Sequence, residues 1–240
     1  MKVLRVVAEG ITTSFRYPHF MLGLQPTFEM PPPATIYGHI CSALGEWVDP
    51  KGLSFAYHFT YKTKFDDVEH THILAPAGGK LPGSDYPKAV EGAINPYKRS
   101  ILFQPRLMLY LNKPEWEAEF RSPRYAVTLG RSQDLCTYTQ VATIELQQAD
   151  KAYFEHTLAP FCFTMRMAKG YSVLMPRFLD YANNRAPSFE QYVVMRQRLH
   201  TDDDDYVVVD DGETFLVDPQ SALHKGAHLG LLFHSFVGEG

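Results

Sequence analysis

Alternation opens the chain. From Lys2 to Glu9, Leu4, Val6 and Ala8 fall on one side and Val3, Arg5 and Val7 on the other, the period-two pattern of a β-strand. Pro18, Gly23 and Pro26 then break any period between Gly10 and Met30, which reads as irregular chain. The pattern changes at Pro31-Pro32-Pro33. Ile36, Ile40, Leu44 and Trp47 recur at helical spacing and predict a helix over Ala34–Trp47 with these four facing a core. Pro33 suits its first turn, where a missing N–H is no loss. Gly38 lies inside it and costs the helix roughly 1 kcal/mol relative to Ala; a glycine kept there points to something approaching the backbone closely.

A second strand is predicted at Phe55–Lys64. Phe65–Ser100 carries four prolines (Pro76, Pro82, Pro87, Pro96) and four glycines (Gly78, Gly79, Gly83, Gly92) and is too punctuated for a simple connection. Loops of that length are usually functional or mobile. Ile101–Leu111 alternates, with Leu107, Leu109 and Leu111 on one face, and Tyr138–Leu146 does the same. Tyr192–Val194, Tyr206–Val209 and Thr214–Val217 are short strand predictions, with Asp210–Gly212 as a hairpin turn between the last two. Strand, helix, strand and further strands give an α+β class with the order of a ferredoxin-like (RRM-like) unit. We place that unit at 1–147, with an insertion at about 65–100, and a β-rich C-terminal extension at 148–240.

Composition adds three exclusions. No run of about 18 apolar residues occurs, so no membrane-spanning helix is expected. The start lacks the apolar core and cleavage site of a signal peptide, and Cys41, Cys136 and Cys162 are widely spaced with no CxxC pair. A cytoplasmic chain with neither a disulfide framework nor a structural zinc site is expected. Net charge is −4 but uneven: residues 1–200 hold 22 Lys and Arg against 18 Asp and Glu, residues 201–240 hold 1 against 9. A mildly basic body with an acidic tail is compatible with phosphate binding and does not require it.

Catalytic chemistry finds little support. GxSxG, HExxH, GxxxxGK[ST] and a strand-borne GxGxxG are all absent. His70 with His72, His224 with His228, and the run Asp202–Asp205 could touch a metal, yet none forms a ligand motif. Cys41 sits on the apolar side of the predicted helix as a core residue. Neither metal nor cofactor is expected. Basic residues do neighbour aromatic or backbone-exposing ones, in Phe15-Arg16-Tyr17, Tyr97-Lys98-Arg99, Arg124-Tyr125 and Gly130-Arg131-Ser132. Aromatics stack unpaired bases, while Arg, Ser and backbone N–H groups hold phosphates. Binding to RNA is thus favoured over turnover.

Two segments carry a resemblance. Ser14-Phe15-Arg16-Tyr17-Pro18 followed by Pro31-Pro32-Pro33-Ala34-Thr35-Ile36-Tyr37-Gly38, and Leu129-Gly130-Arg131-Ser132-Gln133-Asp134-Leu135, together resemble the Cas-five family of type I CRISPR Cascade complexes, most like its type I-B branch. The match covers roughly Lys2–Leu146. The resemblance implies an RRM-like domain whose inserted thumb is Phe65–Ser100, and a non-catalytic subunit that caps the complex and grips the crRNA 5′ handle. It implies Cas-seven backbone and Cas-eight large subunits as partners, and target DNA near the PAM through the assembled complex. Carried over by position, Thr35, Tyr37 and Gly38 lie against the handle, Arg16 and Arg131 pair with its phosphates, and Gly130 and Ser132 present backbone groups. Lys98 and Arg99 sit at the thumb base. A type I-C branch of the family cuts pre-crRNA without metal, using Tyr, Lys and His to activate a 2′-hydroxyl. Tyr37 and Lys113 are present here, but no His neighbours that Lys, and the sole His-Lys pair is His224-Lys225. The metal-independent endoribonuclease is therefore the alternative reading.

Overall fold

The structure is a computed structural model, and it describes residues 1–20, 23–166, 169–207 and 213–238. Its main elements are β1 (Lys2–Gly10), α1 (Pro33–Leu44), β2 (Ser54–Thr60), β3 (Thr63–Pro76), β4 (Val90–Phe103), β5 (Arg106–Leu111), α2 (Glu117–Arg121), β6 (Cys136–Glu145), β7 (Tyr171–Asp180) and β8 (Ala186–Met195). The central sheet runs β6-β1-β5-β2, and the short strand His234–Ser235 from near the C-terminus adds to its β2 edge. Every neighbouring pair in it is antiparallel.

Both faces of this sheet are covered. Leu4, Val6, Leu107, Leu109, Phe55 and Tyr57 meet Ile36 and Ile40 of α1 in the main core. Val3, Ala56 and Tyr110, on the opposite face, pack against Tyr153 and Leu229 of the C-terminal region. Each Val, Leu, Ile or Phe among them contributes about 1.5–3 kcal/mol when fully buried. Burial on both faces explains why β1 and β5 are apolar nearly throughout. Leu158, Met175, Tyr192 and Val194 also belong to the main core, so the C-terminal residues share it with α1 and the sheet.

Several expectations need correction. The helix starts at Pro33 and stops at Leu44, not Trp47. Gly45 adopts φ 85, and its N–H bonds back to the Cys41 carbonyl at 2.8 Å, a left-handed stop that glycine accepts without strain. Trp47 is therefore outside the helix and 48% exposed. Phe65–Ser100 is not irregular. It lies within a hairpin in which β3 and β4 pair in continuous register from Thr63 with Phe103 to Pro76 with Val90. Only the tip, around Pro82 and Gly83, behaves as the prolines and glycines suggested. A ribbon with open edges tolerates Pro96, whose missing N–H costs no ladder bond where an edge faces water. Ile101–Leu111 is two strands, divided at Gln104 with φ 52 and Pro105.

The segment Gly10–Met30 holds short strands, among them Phe15–Arg16 paired with Thr27–Phe28. The strand predicted at Tyr192–Val194 is the end of β8, whose hairpin with β7 was not anticipated. Thr214–Val217 appears as Phe215–Asp218. Val208, Val209 and the Asp210–Gly212 turn lie outside the described residues.

The acidic tail is folded back as counter-charge. Asp202 pairs with Lys151, Asp203 with Lys225 and Asp205 with Lys169, at 2.7, 2.9 and 3.0 Å. Asp218 is buried and accepts from Arg5 and Tyr110 at 2.9 and 2.7 Å. Among the described residues the three cysteines are free, Cys41 being buried, and no helix is long and apolar enough to cross a membrane.

Candidate nucleic-acid interface

A cleft of about 770 Å³ opens above the start of α1. Its floor is Thr35, Gly38, His39 and Ser42, one face of that helix. One wall is the 14–18 segment together with Arg99, Thr128, Gly130 and Arg131; the other is the β7–β8 hairpin through Pro176, Leu179, Arg185, Pro187 and Phe189. Arg16, Thr35, Gly38, Arg99, Gly130 and Arg131, scattered over more than a hundred positions in the sequence, thus line one cavity.

Pro32 and Pro33 fix the direction in which the helix enters this floor, and the Thr35 N–H bonds to the Pro32 carbonyl at 2.8 Å. Gly38 faces open space: a Cβ built there would meet nothing within 4 Å. Among the described residues, none outside its own helix makes the close approach that its sequence position implied. Gly130 is the reverse case. It sits at φ +99, and a Cβ there would lie 2.6 Å from Thr13 Oγ1 and 2.8 Å from the Ser14 carbonyl. This glycine seats the Leu129–Leu135 turn on the 12–14 segment, where Thr13 also donates to the Leu129 carbonyl.

Arg99 and Arg131 are engaged internally. Arg131 forks onto Asp134 at 2.8 and 2.7 Å and also donates to Glu69. Arg99 donates to Glu69 at 2.7 Å and to the Tyr97 hydroxyl at 3.1 Å. Burial alone would raise the Glu69 pKa, but the hydrogen bonds from Tyr97 and Arg99 and the charges of Arg99 and Arg131 outweigh it and hold it low. His39 is structural as well. Its Nδ1 donates to the Thr128 carbonyl at 2.8 Å, and its Nε2 accepts from Tyr138 at 3.0 Å. Burial lowers its pKa and keeps it neutral.

Tyr37, Lys98 and Ser132 do not line the cleft. Tyr37 is buried, donates to the Val48 carbonyl and packs edge-on against Phe178 and Phe236. It follows Ile36 round the helix into the core. Lys98 is exposed on β4, where strand alternation turns it away from Arg99. Ser132 is exposed at the tip of its turn.

Sequence reasoning missed Arg185. It stands in the turn between β7 and β8 at φ 58, after Asn184 at φ 48. A left-handed arginine is an unfavoured conformation that surrounding structure must impose. The available signal was Asn183-Asn184 after an apolar run, since Asn tolerates such turns. Lys113, weighed for catalysis, pairs with Glu115 at 3.6 Å and lies over Trp116. Among the described residues no three His, Cys, Asp or Glu side chains converge as a metal site would need.

No protein-family model matches the sequence, and no curated protein matches it significantly. Solved structures do match. A chain of a CRISPR RNA-guided surveillance complex aligns with TM-score 0.51 and 17% identity over 85% of this chain and 95% of that one. The chain shares its fold with that CRISPR surveillance-complex chain. Looser likenesses, at TM-scores of 0.43 and 0.44, are a CRISPR protein from Archaeoglobus fulgidus and a chain of a type III-B Cmr-beta complex bound to target RNA. They are 12% and 8% identical, over 82% and 83% of this chain and 87% and 86% of theirs.

Proposed function

We propose that this protein is a non-catalytic, Cas-five-like subunit of a type I CRISPR ribonucleoprotein, most like type I-B, and that its cleft holds the 5′ handle of the crRNA. One observation carries the reading. Residues drawn from two separate motif segments, Gly38 from one and Gly130 and Arg131 from the other, meet in a single cleft, within a fold shared with a surveillance-complex chain. The β1-α1-β2-β5-α2-β6 order with β6-β1-β5-β2 pairing is what supports a ferredoxin-like (RRM-like) unit over 1–147. The β3–β4 hairpin is then the thumb, and 148–240 is an extension that covers the sheet.

In this reading a phosphate track follows Arg16, Arg131 and Arg185 along the cleft, and Gly38 gives the backbone of the RNA room against α1. Backbone-subunit and large-subunit partners, and through them PAM-proximal DNA, follow from the same assignment. A cutting role is disfavoured by the engagement of Tyr37 with Val48 and of Lys113 with Glu115.

Co-expression of the full chain with a repeat–spacer transcript tests this. The purified protein retains one RNA with a defined 5′ end, and Thr35→Glu, which puts a carboxylate on the cleft floor, loses that RNA at unchanged unfolding midpoint. Retention of the RNA by Thr35→Glu overturns the site. Specific cleavage of repeat RNA in EDTA overturns the non-catalytic assignment.

A further inference from the structure

The early stop of α1 at Gly45 does more than shorten a helix. It turns Trp47 out of the core, where its ring stacks on Tyr181 at 4.3 Å between centroids and 20° between planes. Tyr181 is itself 56% exposed and Tyr125 59%. Single exposed aromatics need no explanation. Here Trp47 and Tyr125, together with Cys41, Ser42 and Glu46, line an open cavity of about 260 Å³. Gly38 and Ser42 line this cavity and the main cleft alike. One turn of helix separates those two residues, and the glycine leaves the passage between the cavities free of side chain.

The chemistry of the small cavity differs from that of the cleft. Its two largest lining side chains, Trp47 and Tyr125, are aromatic, and Trp47 is held in place by the near-parallel rings of Tyr181 at 4.3 Å and Tyr37 at 6.1 Å between centroids, so little freedom is lost when another planar group arrives. Glu46 can only accept hydrogen bonds when ionised, which disfavours a phosphate and favours the N–H groups on a base edge. Arg124 crosses Gly45 beside Tyr125, its Cγ 2.4 Å from where a Gly45 Cβ would stand. An aromatic platform flanked by a cation, next to a backbone track, is how proteins take single-stranded nucleic acid.

We infer that this cavity receives one unstacked nucleobase of the RNA whose backbone lies in the main cleft, stacked on Trp47 and Tyr125. The inference rests on the RNA reading above and adds a base subsite to it. Trp47 also reports on its own occupancy. The chain has two tryptophans, so Trp116→Phe leaves Trp47 as the sole one.

The experiment titrates full-length Trp116→Phe protein with a single-stranded oligoadenylate 12-mer and with an abasic RNA of equal length. Binding is read by anisotropy of end-labelled RNA and, separately, by tryptophan emission with unlabelled RNA. Quenching by oligoadenylate that saturates with the anisotropy, and no quenching by the abasic chain, is the expected result. Trp47→Leu should weaken oligoadenylate about tenfold, within the range of base–aromatic stacking, and leave the abasic affinity unchanged. An anisotropy rise for oligoadenylate without quenching overturns the base subsite and leaves the cleft standing. Absence of binding by either RNA overturns both.

Discussion

Glu69 of β3 accepts a hydrogen bond from Arg99 of β4 at 2.7 Å, a pair across the hairpin that sets Arg99 in the cleft wall. The same carboxylate takes Arg131 on its other oxygen. A phosphate entering the cleft therefore competes for arginines that already have partners. Of the two carboxylates involved, Asp134 is 1% exposed and also accepts from Thr12 and the Arg131 backbone N–H. Glu69 is more exposed, at 21%, and belongs to the projecting hairpin. It is the partner that can yield.

Glu69→Gln should accordingly strengthen RNA binding. Removing the competing charge leaves Arg99 and Arg131 to the phosphates, and each phosphate gained steepens the slope of log affinity against log salt by about 0.7 for a single strand. Anisotropy titrations between low and moderate salt measure this. A variant with weaker binding and a shallower slope would assign Glu69 a purely structural role.

Gly38 and Gly130 should respond in opposite ways to alanine. At Gly38 the new methyl group meets open space, so helix propensity gains about 1 kcal/mol and the unfolding midpoint rises. The same methyl group intrudes on the cleft, and RNA affinity falls. At Gly130 the methyl group collides with Thr13 and Ser14 at positive φ, and stability drops by about 1–3 kcal/mol. Urea titrations beside RNA titrations separate the two. A Gly38→Ala protein that binds RNA as well as the parent removes the glycine from the interface.

What could be read from sequence was what repeats locally. Period-two runs located β1 and β5, and triple proline with Ile36 and Ile40 located α1, because burial writes itself into hydrophobic spacing. The cleft was legible only as residue types in two motif segments. Which of them face it depends on helix phase and strand parity, so Tyr37 went to the core and Lys98 to the opposite side of β4. The hairpin was misread because prolines and glycines that break a buried strand are harmless on an open ribbon. Trp47 obeyed the helical period by coincidence, and one αL glycine overruled it. For Arg185 the sequence offered only the turn signal of Asn183-Asn184; its place in the cleft wall comes from the fold of β7 and β8 over α1.

Asp218 ties the C-terminal region to β1. It holds Arg5 and the Tyr110 hydroxyl beneath the face of the sheet opposite α1. Asp218→Ala leaves a largely buried guanidinium without its counter-charge, a change that costs about 3–5 kcal/mol. Asp218→Asn keeps an acceptor for Tyr110 and should cost less. Urea midpoints order the parent above Asn and Asn above Ala. Equal midpoints for all three would show that the extension is held by apolar packing alone.

Glu155 sets a second, acid-sensitive link between the sheet and the C-terminal region. Its carboxylate receives Arg198 at 2.7 and 2.9 Å and lies 3.9 Å from His58 of β2. Burial by itself would raise its pKa; the hydrogen bonds and charges of His58 and Arg198 override that and bring it to about 2. A folded-state pKa below the unfolded one means that the unfolded chain binds the proton more readily. The stabilisation is thus complete above the ordinary carboxylate value of 4.5 and is lost as pH falls toward about 2. With about 1.4 kcal/mol for each unit of difference, the contribution is on the order of 3 kcal/mol. Glu155→Gln cannot titrate, so the stability gap between parent and variant should narrow steadily from pH 5 downward. Urea unfolding of both proteins at several pH values reads it, and a gap that stays constant through the window would detach Glu155 from the acid response.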